Sequence, residues 1–397
     1  MPINPRIAAF ERDMIAWRRD IHAHPELCYE ERRTAALVAD LLRRFGCDHV
    51  ETGVAETGVV GVIRGRGETG KAISLRADMD ALPVTEANDF AHVSRHAGKM
   101  HACGHDGHTV MLLGAARYLA ETRNFAGVVN VVFQPAEEGG GGGKRMIEEG
   151  LFQRFPCDAV YGMHNWPELP AGVIGVRAGA MMAATDQFSI TVTGHGAHAA
   201  MPHLGIDPVL AGSHIVVALQ SLVSRGTAPA EAAVLSVTMF HAGSASNVIP
   251  PSAQLDGTVR TLSAESRDRM EAGLRRVAES VAASFGAKAT VEYRRGYPVT
   301  VNTPDGADAA ARAAARVVGA NKVLRDFAPS MAAEDFGYML EERPGAYIWL
   351  GQGGSALGCA LHNPRYDFND QMLSVGASLW AELVESELAP TFDDGGA

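Results

Sequence analysis

Short apolar runs alternate with amphipathic stretches along the first part of the chain. Apolar, often β-branched runs bounded by glycine, proline or charge are typical of buried strands, and four of them occur at residues 59–64, 72–76, 128–133 and 159–163. Apolar residues recur at helical spacing over residues 10–20, 31–45 and 110–119, which predicts three helices. This alternation predicts an α/β layer structure built on a mostly parallel sheet.

The periodicity changes near residue 183. Residues 187–193 alternate, with Phe188, Ile190 and Val192 against polar neighbours, which is typical of a half-exposed antiparallel strand. The following segments predict a helix, two strands, a helix and a strand at residues 208–224, 233–241, 253–261, 264–285 and 289–294. The resulting β-α-β-β-α-β order is that of a ferredoxin-like α+β unit.

The α/β pattern returns after Pro298. It predicts a helix over residues 308–318 and a strand over residues 346–350. We therefore predict a discontinuous α/β domain formed by residues 1–183 and 298–397, with an inserted α+β domain at residues 184–297.

Composition and charge narrow the class of protein. With 397 residues, 47% hydrophobic and 20% charged, the chain has the make-up of a globular protein large enough for two domains. A net charge of -11 argues against a nucleic-acid partner, because no basic stripe is present to displace counterions from phosphates. The chain has no apolar run of the roughly 18–20 residues that span a bilayer, and its N-terminus lacks the profile of a signal peptide. We therefore expect a cytoplasmic protein that contacts no membrane.

The five cysteines are scattered and odd in number, which does not fit a disulfide framework. Four of them are predicted to be ordinary buried thiols: Cys28, Cys47, Cys157 and Cys359. Cys103 differs because His105 follows two residues later and because His101 and His108 are also close in sequence.

Polar motifs follow the predicted strands at the points where those strands end. Asp78 and Asp80 come after the second strand, Glu137 and Glu138 after the third, and His164 after the fourth. Ligand sites in α/β sheets lie at the carboxyl ends of the strands. We therefore expect these side chains to converge at one edge of the sheet.

The residue types at this edge are those of a metal site. A thiolate from Cys103 and imidazoles suit Zn, Co, Ni or Mn rather than Ca or Mg. The histidines in question are His105, His164 and His362. In this interpretation Asp80 accepts the second N–H of a ligating histidine and so fixes its tautomer. A metal site that keeps one carboxylate free to act as a base indicates metal-assisted hydrolysis.

Two other functions are compatible with these residues. Cys103 and a histidine could form the nucleophile pair of a thiol hydrolase, and a non-catalytic binding protein could use the same fold. The adjacent Glu137-Glu138 pair argues against the thiol hydrolase, because neighbouring carboxylates repel each other unless a cation neutralises one of them. It also argues against a binding protein, since binding alone needs no free base.

Eight segments, in order along nearly the whole chain, match motifs of a known family. They are residues 18–26 (RRDIHAHPE), 76–83 (RADMDALP), 100–108 (MHACGHDGH), 133–138 (FQPAEE), 194–199 (GHGAHA), 246–250 (SNVIP), 333–336 (AEDF) and 361–363 (LHN). With this set the chain resembles the amidohydrolase branch of the dinuclear aminoacylase/carboxypeptidase metallopeptidases. That branch contains hippurate hydrolases and the plant auxin–amino acid conjugate hydrolases.

The resemblance implies two divalent metal ions (Mn, Zn, Co or Ni) bridged by Cys103, where the wider family uses an aspartate. It implies Glu137 as the general base. Asp78 stands where the wider family has a metal-binding histidine, so its place inside or outside the coordination sphere stays open. The remaining ligands would be His105 and His164 on one metal, and Glu138 and His362 on the other.

The resemblance also implies that the inserted domain is a lid and dimerisation domain. The protein would then form a homodimer or a higher homo-oligomer. His198 would reach into the partner subunit's site to stabilise the oxyanion of the transition state, and Asn247 and Arg260 would hold the carboxylate of the substrate.

The activity implied by the resemblance is hydrolysis of the amide bond of N-acyl-amino acids such as hippurate. The products would be a carboxylic acid and a free amino acid. The alternative on the same scaffold is a deacetylase of N-acetyl-amino acids or N-acetyl-diaminopimelate, or a dipeptidase.

Overall fold

The computed structural model describes residues 3–354 and 360–389. The described residues divide into two compact units. The first takes in the residues up to 181, residues 301–328 and those from 338 onward, and the second comprises residues 182–300 and 329–337.

Helices and strands alternate along much of the chain and make up both units. The helices are α1 (Pro5–Ala8), α2 (Glu11–Ala23), α3 (Arg32–Phe45), α4 (His105–Thr122), α5 (Gly142–Glu148), α6 (Leu151–Arg154), α7 (Pro208–Ser224), α8 (Ala264–Ser284), α9 (Pro304–Val318), α10 (Gly337–Glu342) and α11 (Leu373–Glu387). The strands are β1 (His49–Val54), β2 (Gly58–Arg64), β3 (Gly67–Asp78), β4 (Ala126–Gln134), β5 (Ala159–Trp166), β6 (Ile174–Gly175), β7 (Gly179–Met182), β8 (Ala184–Thr193), β9 (Ala197–His198), β10 (Ala233–Ala242), β11 (Val248–Ile249), β12 (Ser252–Thr261), β13 (Lys288–Arg295), β14 (Thr300–Asn302), β15 (Val323–Leu324) and β16 (Gly345–Gly351).

Within the described ranges, the first unit is built on an eight-stranded sheet in the order β1-β2-β4-β3-β5-β16-β6-β15. The central strands β4, β3, β5 and β16 run parallel to one another, and β15 is parallel to β6. The pairs β1–β2, β2–β4 and β16–β6 are antiparallel. The predicted α/β fold with a mostly parallel sheet is confirmed, and the sheet as a whole is mixed.

Helix α4 is buried almost throughout and packs against α2, α3, α11 and β3. Its apolar residues surround the helix rather than forming one stripe, which is the pattern of a core helix. The sequence predicted a start at residue 110, whereas the helix begins at His105. The prediction began too late because His105, Asp106 and His108 interrupt the apolar pattern, although the structure buries all three. Among the described residues, no helix is both long and apolar enough to cross a membrane.

A buried ion cluster connects helix α2 to the start of α4 and to the segment that precedes α11. The guanidinium of Arg18 is fully buried and lies 3.4 Å from Asp106, 2.6 Å from Asp367 and 2.8 Å from Asp370. His22 lies on the same helix, with its Nδ1 2.8 Å from the carboxylate of Asp106. A buried guanidinium is tolerated only when carboxylates surround it, so this cluster fixes three distant parts of the chain together.

The second unit is an antiparallel sheet in the order β10-β12-β8-β13 with two helices, α7 and α8. The predicted β-α-β-β-α-β order of an α+β unit is confirmed. Phe188, Ile190 and Val192 are buried against apolar residues of both helices, as their alternation predicted.

Candidate metal centre

The carboxyl ends of the central parallel strands bring the predicted polar motifs together. Asp78 is the last residue of β3, the Glu137-Glu138 pair follows β4, and His164 lies near the end of β5. Cys103 lies two residues before the start of α4. The site thus lies where ligand sites of parallel sheets occur.

The first group of donor atoms comes from Cys103, His105 and His164, whose nearest donor atoms all lie within 4.8 Å of one another. The Sγ of Cys103 is 3.3 Å from the Nε2 of His164. The Nδ1 of His164 donates to the backbone carbonyl of Asn165 at 2.6 Å. Because a carbonyl can only accept, this bond puts the proton on Nδ1 and leaves the lone pair of Nε2 directed at the thiol.

The second group comes from Cys103, Glu138 and His362, again with donor atoms within 4.8 Å. The Nε2 of His362 is 3.2 Å from the Oε1 of Glu138. His362 has a positive φ of 65°, a backbone conformation that few non-glycine residues adopt. The two groups share Cys103, so its sulfur lies between two sets of candidate ligands.

The donor set fits a pair of divalent metals. The Nε2 of His105 is buried and has no hydrogen-bond partner among the described residues, and the nearest carboxylate oxygens of Asp78 and Glu138 are 3.8 Å and 4.0 Å away. A buried nitrogen without a hydrogen-bond partner destabilises the fold unless a cation or a water binds to it. Thiolate, imidazole and carboxylate together are the ligands that suit Zn and its neighbours among the transition metals.

Asp80 is the hub that holds the donor residues in place. Its Oδ1 lies 3.3 Å from the Nδ1 of His105 and accepts the backbone N–H of Glu137 at 3.0 Å. Its Oδ2 accepts the backbone N–H of Glu138 at 2.9 Å. Burial alone would raise the pKa of Asp80, but the bonds from His105 and from the backbone of Glu138 outweigh burial and lower it. One ionised carboxylate therefore orients a ligand ring and both members of the glutamate pair.

The carboxylate of Asp78 is occupied by other partners. Its Oδ1 accepts from the Nδ1 of His108 at 2.6 Å, and its Oδ2 accepts from Arg76 at 2.7 Å. Burial would raise the pKa of Asp78, yet the positive charges of His105 and Arg76, together with the hydrogen bond from His108, hold it well below its usual range. The Nε2 of His108 accepts the backbone N–H of Asn165 at 3.0 Å. Asp78 and His108 thus support the site through hydrogen bonds to each other and to the backbone next to His164.

The start of α4 fits closely against the chain that follows His362. A Cβ at Gly104 would lie 2.2 Å from the side-chain oxygen of Asn165 and 2.5 Å from the hydroxyl of Tyr366. Gly104 also has a φ of 94°, so no other residue is accommodated without strain. Tyr366 is buried and accepts from the amide of Asn165 at 2.8 Å. Tyr366 was not predicted as a site residue, since its only signal in the sequence is its place four residues after His362.

Cys28 was predicted to be an ordinary buried thiol, and the structure places it at the edge of the site instead. Cys28 is half-buried, and its single S–H has two acceptors within reach, the Oδ2 of Asp80 at 3.3 Å and the backbone carbonyl of Glu138 at 3.2 Å. Cys157 is buried, as predicted, and Cys47 is half-buried. Cys359 lies outside the described residues.

The other three predicted site residues belong to the second unit. His198 in β9 pairs with Val248 in β11, and the backbone carbonyl of Asn247 accepts from Ala199 at 3.0 Å. His198 and Asn247 are therefore neighbours on an exposed turn. Arg260 is half-buried in β12, where its guanidinium donates to the backbone carbonyl of Val259 at 3.0 Å.

We predict that metal binding releases protons. Burial opposes the imidazolium of His105, but the carboxylates of Asp78 and Asp80 outweigh burial and raise its pKa to about 10. Burial, reinforced by Glu138 and Glu137, raises the pKa of the Cys103 thiol well above its usual value. Both groups hold a proton at pH 7 that a ligand must lose, so metal affinity rises with pH.

Calorimetric titration with Zn²⁺ in buffers of different ionisation enthalpy measures this release. The apparent binding enthalpy should depend on the buffer, and the number of protons released should fall as the pH approaches 10. The same enthalpy in every buffer would show that the ligands are already deprotonated in the metal-free protein.

Comparison with known proteins adds to this geometry. Residues 74–386 match the Peptidase family M20/M25/M40. The chain is 41% identical over 384 residues to a hippurate hydrolase of Campylobacter jejuni, an alignment that covers 97% of this chain and 99% of the relative. It is 39% identical over 377 residues to an N-acetylcysteine deacetylase of Bacillus subtilis, covering 95% and 97% of the two chains.

A solved structure agrees with the sequence comparison. The fold matches that of a dinuclear metal-binding peptidase of Bacillus subtilis with a TM-score of 0.84 and 35% sequence identity. The match covers 96% of this chain and 99% of the other. The likeness therefore extends over both units and is not confined to the sheet that carries the donor residues.

Proposed function

Because the chain belongs to peptidase family M20/M25/M40, we propose that it is a metal-dependent amidohydrolase of N-acyl-amino acids. It cleaves hippurate-like substrates at the amide bond and yields a carboxylic acid and a free amino acid. The observation that carries the proposal is the pair of donor groups that share Cys103, with the carboxylate of Glu137 beside them.

Two divalent metals, of the kinds Mn, Zn, Co or Ni, complete this proposal. His105 and His164 would hold one metal, Glu138 and His362 would hold the other, and Cys103 would be a ligand of both. This division follows the two donor groups of the structure. When bound, the metals supply positive charge that polarises the scissile carbonyl and makes water a stronger nucleophile.

Glu137 is the proposed general base. Its side chain is only 7% exposed, and a carboxylate oxygen lies within 4.8 Å of donor atoms of His105 and Glu138. Its carboxylate takes a proton from the attacking water and delivers it to the nitrogen of the leaving amino acid. Asp80 assists by fixing the backbone of Glu137, so that the carboxylate starts in one orientation.

Three residues of the second unit have proposed roles toward the substrate. His198 donates to the developing oxyanion in the site of a partner subunit, which is consistent with its exposed position. Asn247 and Arg260 bind the free carboxylate of the amino-acid half. Burial lowers the pKa of Arg260, and a partly desolvated guanidinium gains from pairing with an anion.

We further propose a cytoplasmic homodimer or higher homo-oligomer, with residues 184–297 as the lid and dimerisation domain and residues 1–183 and 298–397 as the catalytic domain. Strand β10 is an edge of its sheet. Apolar side chains are exposed on it, with Met239 50% and Phe240 37% exposed. An open edge that displays apolar side chains favours pairing with another chain, and a second copy supplies a matching edge.

A deacetylase of N-acetyl-amino acids is the second candidate. The similarity to the N-acetylcysteine deacetylase favours it, because its identity is nearly as high as that of the hippurate hydrolase. Both reactions use the same donor groups and the same base. They differ in the acyl group, which the metal centre itself does not select.

The test is hydrolysis of hippurate by metal-stripped protein, with Mn, Zn, Co or Ni added back separately. We expect release of glycine that depends on added metal, and the ranking of the metals would suggest the native ion. N-acetyl-amino acids assayed in parallel distinguish the two candidates. No release from hippurate with any metal would remove aromatic acyl-glycines as substrates and favour the acetylated ones.

A further inference from the structure

We propose that residues 28–31, which we call the clasp, position the glutamate pair of the active site, and that Glu31 is the main positioning residue. The clasp lies just beyond the motif at residues 18–26, to which the proposed function assigns no role. It contacts the loop that carries Glu137 and Glu138 on both sides of the pair. This inference rests on the proposed function only for the part played by the glutamates.

The carboxylate of Glu31 holds the residue directly before the pair. Glu31 is fully buried, and its Oε1 accepts the backbone N–H of Ala136 at 2.9 Å. The same oxygen accepts the backbone N–H of Tyr29 at 3.0 Å, and its Oε2 accepts the hydroxyl of Thr57. A buried carboxylate with three donors is a fixed point in the structure.

The bond to Ala136 is placed where the backbone needs support. Ala136 has a φ of 53°, in the left-handed region that alanine rarely adopts. Such a conformation is unfavourable for a residue with a Cβ and persists only when the surroundings impose it. The bend turns the chain from β4 toward the donor atoms, so its loss would move Glu137.

Two further contacts hold the loop at Glu138 and just after it. The S–H of Cys28 has the carbonyl of Glu138 within reach, and the hydroxyl of Tyr29 donates to the carbonyl of Gly140 at 2.8 Å. The ring of Tyr29 leaves little room above Gly140, since a Cβ there would lie 3.2 Å from its edge. The glycines from Gly139 onward have no side chains to anchor the loop, so these bonds from outside limit its conformations.

The clasp is itself anchored next to Asp80. The backbone carbonyl of Glu26 accepts from Ala81 at 2.8 Å. The carboxylate of Glu26 is not part of this anchor, because it accepts the backbone N–H groups of Arg33 and Thr34 at 2.9 Å and 2.8 Å, at the start of α3. Asp80 and the clasp are therefore linked to each other through the backbone, and both bind the loop that carries the glutamate pair.

The experiment compares Glu31→Ala with Glu31→Gln and with the control Glu26→Ala. Glu26 also accepts two backbone N–H groups, but they belong to α3 and not to the catalytic loop. Burial raises the pKa of Glu31 to about 7, so the uncharged amide of glutamine can keep the bond to Ala136. All variants are assayed for kcat and KM at saturating metal, for metal affinity by calorimetry, and for thermal stability.

We expect Glu31→Ala to lower kcat by about 10- to 100-fold with little change in KM, the range found when supporting residues of a metal site are removed. Metal affinity should fall as well, because Glu138 shifts with the loop. Glu31→Gln should restore most of both properties. Glu26→Ala should lose stability and keep the kcat of the wild type.

Two results would overturn the proposal. One is a folded Glu31→Ala protein with wild-type kcat and metal affinity, and the other is an equal loss of kcat in Glu26→Ala. Metal affinity is measured without substrate, so it tests the clasp even if the protein hydrolyses no amide. A failure of the clasp and a failure of the proposed function are therefore distinguishable.

Discussion

Replacing Glu137 with glutamine should lower kcat by about three orders of magnitude or more, while the protein keeps its metals. Glutamine has nearly the shape of glutamate but cannot take a proton from water, and general-base catalysis contributes a factor of about 10² to 10⁴. The backbone N–H of Glu137 that binds Asp80 is unaffected by the change. Hydrolysis of hippurate and metal content of the same preparation are the measurements.

The neighbouring glutamate supplies the matched control. Glu138 shares a donor group with Cys103 and His362, so Glu138→Gln should lose affinity for one metal, whereas Glu137→Gln should not. If Glu137→Gln turned over substrate at the wild-type rate, another group would have to be the base. If both variants lost metal equally, the division of roles between the two glutamates would be wrong.

The inactive Glu137→Gln chain also tests the proposed role of His198. Mixing it with His198→Ala chains should restore part of the activity, because some hybrid sites then contain an intact Glu137 and an intact His198. No recovery after verified subunit exchange would count against a shared site.

Replacing Cys103 with alanine should remove both the metals and the activity. Among the described residues, one donor group contains His164 and another contains His362. Cys103 is the side chain that these two groups share. Removing a supporting residue costs about 10- to 100-fold in metal affinity, so loss of a ligand shared by both metals should cost more. Metal content after dialysis and hydrolysis of hippurate measure the effect. Cys103→Asp should keep much of the metal binding, because the wider family that the chain resembles has an aspartate there.

A variant of a second buried cysteine is the control for the Cys103 variants. Cys157 is also a buried thiol, but it lies outside the donor groups, so Cys157→Ala should bind metal and hydrolyse substrate as the wild type does. The same variants separate a metal enzyme from a thiol hydrolase. An enzyme that resists chelators, loses activity on alkylation of Cys103 and is inactive as Cys103→Asp would be a thiol hydrolase.

The parts of the fold that the sequence predicted are those with a local signal. Strands β2 to β5 contain runs of apolar, often β-branched residues between breakers, and each predicted run lies inside an observed strand. The short strands β6 and β15 have two residues each, too few for any periodicity. The start of α4 was also missed, because burial of His105 and Asp106 depends on partners far away in the chain.

The same distinction applies to the candidate site. The donor residues were predicted because their types and order match metal chemistry and a known set of motifs. Cys28, Glu31 and Tyr366 were not, because their roles arise from contacts with residues that are distant in sequence. Glu31 is an ordinary acidic residue in the printed sequence, and only the folded chain brings its carboxylate to Ala136. Positions that act through another residue leave no local pattern to read.

The order of the donor residues along the chain has a consequence for biosynthesis. Cys103, His105, Glu138 and His164 leave the ribosome first, and His362 follows only after the second unit has been made. Strand β5 likewise cannot pair with β16 until the second unit has been made. Since domains fold as they emerge, the nascent protein spends this interval with an open sheet edge and an incomplete metal centre. With His362 as a ligand, as proposed, we expect an unfinished or stalled chain to lack hydrolytic activity until its last segment has closed the sheet.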